Sequence, residues 1–175
     1  NASRYPLLTA SQEISLGNDV RAWLDVDNPD PMTIRRGKKA KERMIRCNLR
    51  LCMAVAKKYH PRIKNSANIS LEDLLQEGAI GLNRAVEKFD PAAGYKFSTY
   101  AYWWIRQAMT RCVEMQTGTI RITCHISQFA MNWRYRPHGQ TVEEFAETKK
   151  CSVNKVQQML RLFERAQVTS LDKQM

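Results

Sequence analysis

Residues 95–111 read YKFSTYAYWWIRQAMTR, and the period of this stretch decides the fold. At 100° per residue, Ala101, Ile105, Ala108 and Cys112 align on one side, as the core-facing stripe of a helix requires. Tyr100, Trp103, Gln107, Thr110 and Arg111 gather on nearly the opposite side, with Trp104 at the border. Ser98 is the expected N-cap. The aromatic rings therefore do not all serve one core. Some lie on a face that also carries amides, hydroxyls and cations. A flat, apolar and negatively charged partner would satisfy such a face; the alternative is an aromatic cluster buried under a second domain.

Working outward, the rest of the chain reads as all-α. It has only 7 Gly and 6 Pro among 175 residues, and no run alternates with period two. Thr9 with Gln12 makes a capping box for a first helix with an apolar stripe at Ile14, Val20 and Leu24. The acidic, turn-rich DVDNPDP precedes a long helix, expected from about Thr33 to Tyr59. Its first half is the basic run IRRGKKAKERMIR; its second half is apolar at Met44, Ile45, Leu49, Cys52, Val55, Ala56 and Tyr59. Pro61 is expected to end it. Ser70 with Asp73 then caps a helix whose stripe is Leu71, Leu74, Leu75, Leu82, Ala85, Val86 and Phe89. Glu72, Asp73, Gln76 and Glu77 fall off that stripe as an acidic patch. Acids near a helix N-terminus are favourable on their own account, and they also suit a basic protein partner.

After residue 111, Gly118 and the β-branched TIRIT mark a domain break. A short basic helix, HISQFAMNWRYRPHG, ends at Pro137 and Gly139. Thr141 with Glu144 and then Ser152 cap two further helices, the second with Val153, Val156, Met159, Leu160 and Phe163 inward. Two short helices joined by a tight turn read as a helix-turn-helix-like pair. The expected domains are 1–117 and 118–168, with 169–175 beginning a linker.

The charge of +11 implies attraction to polyanions, weakened by salt. No window of about 18 apolar residues suggests a membrane span, and no membrane partner is expected. NASRYPLLTA lacks the layout of a signal peptide. Five cysteines without a CxxC pair, and three scattered histidines, make a disulfide framework or a metal site unexpected. There is no Gly-rich phosphate loop, no HExxH and no nucleophile with a visible base, so neither an enzyme nor a cofactor is expected. Nucleic acid fits the 95–111 face better. Rings stack on unpaired bases for roughly 1–3 kcal/mol each, arginines hold phosphates, and a Gln spaced from a Thr can read a base edge.

These segments also carry a resemblance. NLRLCMAVAKKY, LEDLLQEGAIGLNRAVEKFDP, GYKFSTYAYWWIRQAMTR and TIRITCHI stand in the order seen in bacterial RNA polymerase sigma factors of the primary, sigma-seventy class. The resemblance covers about residues 4 to 175. RYPLLTASQEISLG and IRRGKKAKERMIR look most like cyanobacterial members. The resemblance implies a helical sigma domain two followed by a small three-helix sigma domain three, without the finger loop and the fourth region. The chain then reads as part of a longer cytoplasmic factor at the bacterial nucleoid, with the plastid stroma as the weaker alternative.

Roles are implied position by position. Leu71, Asp73, Gln76 and Glu77 match the surface that docks on the clamp coiled coil of core RNA polymerase. Tyr100 matches the tyrosine that stacks on the flipped adenine of the minus-ten element, with Phe89, Lys96 and Thr99 around it. Trp103 and Trp104 match the wedge at the upstream edge of the bubble. Gln107 and Thr110 match readers of the first, still paired, minus-ten base pair in the upstream duplex. Arg106 and Arg111 would hold phosphates. Asn48, Leu51 and Ser98 match the pocket for a second flipped base of the single-stranded non-template strand. Arg121, His125 and the position of Gln128 match the part that touches an extended minus-ten element.

This sequence departs from the pattern in places. Gln128 stands where primary members have Glu, Thr123 where they have Pro, and Ala92 and Ala93 where a basic pair is usual. CVEMQTG replaces a small, polar run. These departures imply an alternative member of the primary-like group. Two rival readings stay open: a stand-alone helix-turn-helix regulator, and a module held by an anti-sigma partner.

Overall fold

The computed structural model describes residues 5–64, 68–116, 118–166 and 168. Among these there are seven α-helices and no strand: α1 (Ala10–Leu24), α2 (Pro31–Ile63), α3 (Leu71–Lys88), α4 (Phe97–Gln116), α5 (Cys124–Arg134), α6 (Val142–Thr148) and α7 (Val153–Arg165). The chain forms two compact units. One comprises residues 1–65 and 70–110, the other 66–69 and 111–175.

In the first unit α2 is the central helix, packed by α1 and α3. Asp30 caps it through the Met32 amide, and Pro31 takes the first helical position, where no amide is needed. Met44, Cys52, Val55 and Ala56 of α2, Leu74, Leu82, Ala85 and Val86 of α3, and Phe97, Ala101, Ile105 and Met109 of α4 are buried. Ala108 is half-buried. The helices approach closely through glycines. A Cβ placed at Gly81 would lie 2.7 Å from the Trp104 carbonyl oxygen, and one at Gly37 would lie 2.5 Å from Trp23 Cβ.

Tertiary contacts override four local expectations. Pro61 does not end α2, which runs on to Ile63. Proline deprives the Lys57 carbonyl of its amide, but Lys57 lies on an exposed face where solvent can replace the bond, and Ile63 is buried. Ser98 is not the N-cap of α4, which starts at Phe97; the Phe97 amide donates instead to Glu13 Oε2 of α1 at 3.2 Å. Ile14 and Leu24 stay exposed, and the buried side of α1 is Gly17 and Val20. Gly17 packs under Pro91 and Phe89, so close approach substitutes for an apolar stripe. Leu71 leaves the α3 stripe and is 38% exposed.

The second unit is built on Phe129, Phe145, Ala146 and Val156, with Trp133, Val142, Val153, Met159 and Leu160 packed around them. Phe145 meets Phe129 and Trp133 edge-on, at 5.4 and 5.1 Å between centroids. The capping boxes at Thr9, Ser70 and Thr141 and the Ser152 cap form as the sequence predicts. None of the five cysteines is in a disulfide. Burial pushes the Cys52 thiol up to about 12, which leaves it protonated and inert.

Candidate nucleic-acid interface

The site begins at the connector between α3 and α4. Phe89 leaves α3 in an extended conformation, Asp90 accepts from the Ala92 amide at 2.9 Å, and Gly94 turns the chain at φ +75°. Helix α1 fastens both ends of this connector. Arg21 Nε donates to the Phe89 carbonyl at 3.0 Å, and Glu13 receives the Phe97 amide. The start of α4 is therefore fixed by a helix far away in sequence.

A chain of rings follows. Phe89, buried, meets Phe97 edge-on at 5.1 Å and lies at 6.1 Å from the tilted Tyr100 ring. The Tyr100 hydroxyl donates to the Lys88 carbonyl at 3.2 Å, and its ring meets Trp104 at 6.2 Å. Trp103, 62% exposed, stands edge-on to Tyr102 at 5.8 Å. Cations lie over these rings: Lys88 over Trp104 at 5.0 Å, Lys58 over Tyr102 at 5.5 Å, Arg106 over Trp103 at 5.6 Å. None of the four ion pairs among the described residues uses one of these cations. The ring faces and the positive charge thus lie side by side, outside any ion pair among the described residues.

The sequence-predicted residues divide by exposure. Lys96, Thr99, Trp103, Arg106, Gln107 and Arg111 are exposed. Ser98, Tyr100, Trp104 and Thr110 are half-buried, and Phe89 supports Tyr100 from beneath. The Thr110 hydroxyl shares a 2.7 Å hydrogen bond with Tyr59, a partner that sequence spacing did not signal. Asn48 and Leu51 are half-buried on α2, and Asn48 Nδ2 donates to the Met44 carbonyl at 2.9 Å. No hydrogen bond or ring contact among the described residues joins Asn48 or Leu51 to the Tyr100 cluster.

The acidic patch opens α3. Leu71, Asp73 and Gln76 are exposed, and Glu77 is half-buried. The Ser70 amide and hydroxyl both donate to Asp73 Oδ2, at 2.9 and 2.8 Å, and hold its carboxyl below the usual range. Ile80, exposed one turn after Gln76, extends the patch with an apolar side chain that sequence reasoning missed. In the second unit Arg121, His125 and Gln128 are exposed. His125 and Gln128 line a groove of about 280 Å³ with Lys149, Lys150 and Lys155, and Gln128 Nε2 donates to Glu114 Oε2 at 3.4 Å. Those three lysines were also missed, because only the α6–α7 turn brings them to α5.

Among the described residues no group of His, Cys, Asp and Glu could hold a metal ion, and no helix is long and apolar enough to cross a membrane. A family profile described as sigma-70 region 2 matches residues 44–119, the span that holds α3, the connector and α4. The chain contains a sigma-70 region 2. Over 133 residues it is 48% identical to RNA polymerase sigma factor SigA4 of Synechococcus elongatus, covering 71% of this chain and 41% of that protein. It is 39% identical over 165 residues to RNA polymerase sigma factor SigA of Synechocystis, covering 86% of this chain and 36% of that protein. The RNA polymerase sigma-B factor of Nostoc is 54% identical over 94 residues, which are 54% of this chain and 27% of that protein. The chain thus spans less than half the length of these relatives. The sigma-70 region 2 match ends at residue 119, so His125 and Gln128 lie outside it.

Proposed function

We propose that this chain is the part of a promoter-specificity subunit that recognises and melts the minus-ten element while bound to core RNA polymerase. One observation carries the reading: α4 presents Trp103, Trp104 and Tyr100 beside Arg106 and Lys88, and neither cation is in an ion pair among the described residues. Unstacking a base costs a few kcal/mol, and each ring that receives a base returns roughly 1–3 kcal/mol, so two or three stacks offset the opening. Melting is then binding rather than catalysis. Tyr100 takes the flipped base, with Phe89 fixing its ring and Lys96 and Thr99 at the rim. Trp103 and Trp104 fill the gap left in the stack. Gln107 reads the adjoining pair, and Thr110 contributes the lone pairs or proton that Tyr59 leaves over. Leu71, Asp73, Gln76 and Glu77 dock the clamp coiled coil, and this acidic turn would repel DNA. Arg121, His125 and Gln128 face the duplex upstream.

The test is fluorescence anisotropy of a labelled single strand carrying TATAAT, against a scrambled strand, with and without core polymerase. Selective binding that needs core is expected. Equal binding to both strands, or binding indifferent to core, would leave a general nucleic-acid module instead.

A further inference from the structure

Helix α2 carries a second basic surface that the minus-ten reading does not use. Arg35, Lys39 and Arg43 recur every four residues and are exposed, so they form one row about 12 Å long at 1.5 Å per residue. Among the described residues none of the three has an acid within ion-pair distance. Arg36, beside the row, is paired with Asp19 of α1 at 2.7 Å, and Arg46, beyond it, is paired with Glu42 and donates to the Tyr5 hydroxyl. Arg36 and Arg46 are thus neutralised by acids of the fold, whereas no ion pair among the described residues involves the row. The row borders a groove of about 390 Å³ between α1 and α2, floored by Leu16, Met32 and Ala40. Asn48 and Leu51 lie roughly 120–180° round the helix from Lys39, the middle of the row, so it is not an extension of their pocket.

We infer that the Arg35–Lys39–Arg43 row is a track for the phosphodiester backbone of nucleic acid, separate from the face of α4. Three like charges held in a straight line repel one another unless an anion of similar length lies along them, and a polyanion supplies that without base recognition. A compact anion would engage one or two of the three, and the helical spacing gives it no reason to be an extended row. The inference shares the polyanion partner of the proposed function but not its base-capture step, so each can fail alone.

The test uses the full chain assembled with core polymerase on a promoter duplex carrying TATAAT, with affinity measured across a salt series. Each lost duplex phosphate contact lowers the slope of log K against log salt by about 0.9, so R35Q/K39Q/R43Q is expected to lower it by about 2–3. Discrimination between TATAAT and a scrambled duplex stays as in the parent. R35K/R43K, which keeps the charge, keeps the slope. Y100A does the reverse, losing discrimination with the slope retained, which separates this track from the α4 site. An unchanged slope in the triple variant overturns the track. So does a loss of polymerase affinity with DNA affinity intact, which would assign the row to an acidic protein. Competition by inorganic triphosphate with no change in the DNA slope would assign it to a small anion and likewise overturn it.

Discussion

The first turn of α3 and the outer face of α4 are neighbours in sequence and opposite in charge, and they treat their charges differently. At the start of α3 the acid already serves the fold, since Asp73 closes a capping box with Ser70 and two hydrogen bonds hold its carboxyl low. Beside the rings of α4, Lys88 from the end of α3 and Arg106 lie over indole rings, and neither is in an ion pair among the described residues. A charge with a local partner is explained by folding alone. A charge held over an exposed ring is not, because the ring neither neutralises it nor needs it for burial. The docking role of the acidic turn and the base-capturing role proposed for α4 are therefore both to be tested, and of the two only on α4 does folding leave the charge without an acid partner among the described residues.

The largest effect is expected where the backbone positions α4. A Cβ at Gly81 meets the Trp104 carbonyl, which cannot move without moving the helix. Gly81→Ala is expected to cost about 2 kcal/mol net, an overpacking penalty of roughly 3 offset by roughly 1 from helix propensity. Gly78→Ala makes an instructive partner. Its Cβ would lie only 2.2 Å from Met109 Cε, but that is the end of a flexible side chain. It is expected to be near neutral. Urea unfolding measures both, and TATAAT-strand binding should fall only for Gly81→Ala. If Gly81→Ala leaves both stability and binding unchanged, the presentation of the α4 rings does not depend on this crossing.

Next comes Trp103→Ala. The side chain is mostly in solvent, so stability should move by no more than about 0.5 kcal/mol. Strand affinity in the polymerase-bound state is expected to fall about tenfold, one base stack's worth. Loss of stability without loss of binding would reassign the ring to packing and remove the distinction between α4 and α3.

The third effect is smaller and depends on pH. Lys41 and Glu87 tie α2 to α3 at 2.6 Å, and that hydrogen bond, more than the charges around it, holds the Glu87 carboxyl below its usual range. A lowered folded-state pKa means that the stabilisation is complete above the ordinary carboxylate value and is lost as pH falls through the depressed one. Glu87→Gln is expected to cost about 0.5 kcal/mol at neutral pH, as partly exposed pairs do. Urea midpoints of variant and parent should converge as acid protonates Glu87. A gap that persists in acid would mean that packing, not charge, links the two helices here.

How much of this was legible in the sequence follows from range. The caps at Thr9, Ser70, Thr141 and Ser152 were readable because their partners lie three residues away. The inward side of α7 was readable because period alone sets it. The start of α4 differs from its sequence expectation because its amide is received by Glu13, 84 positions earlier. Ile14 looked buried because periodicity counts apolar side chains, whereas α1 approaches through Gly17, which has none. The same limit hid the Thr110–Tyr59 bond and the approach of Lys149, Lys150 and Lys155 to α5. The aromatic-basic face was visible in outline. What spacing could not tell was that Phe89 lies under Tyr100 while Trp103 faces solvent.

The smallest expected change in stability tests the acidic turn itself. Asp73→Asn keeps an acceptor for the Ser70 amide and removes only the charge, so folding should hardly respond. What little it loses should be present above the ordinary carboxylate range and vanish in acid, since the Asp73 pKa is lowered. If the turn docks a basic surface, polymerase affinity falls while TATAAT selectivity of the complex that still forms is unchanged. Ser70→Ala is the companion: it removes the cap but leaves the charge. A polymerase affinity that follows Asp73→Asn and not Ser70→Ala assigns the carboxylate to the partner. Affinity that follows Ser70→Ala alone assigns it to the helix, and the acidic turn then has no role beyond folding.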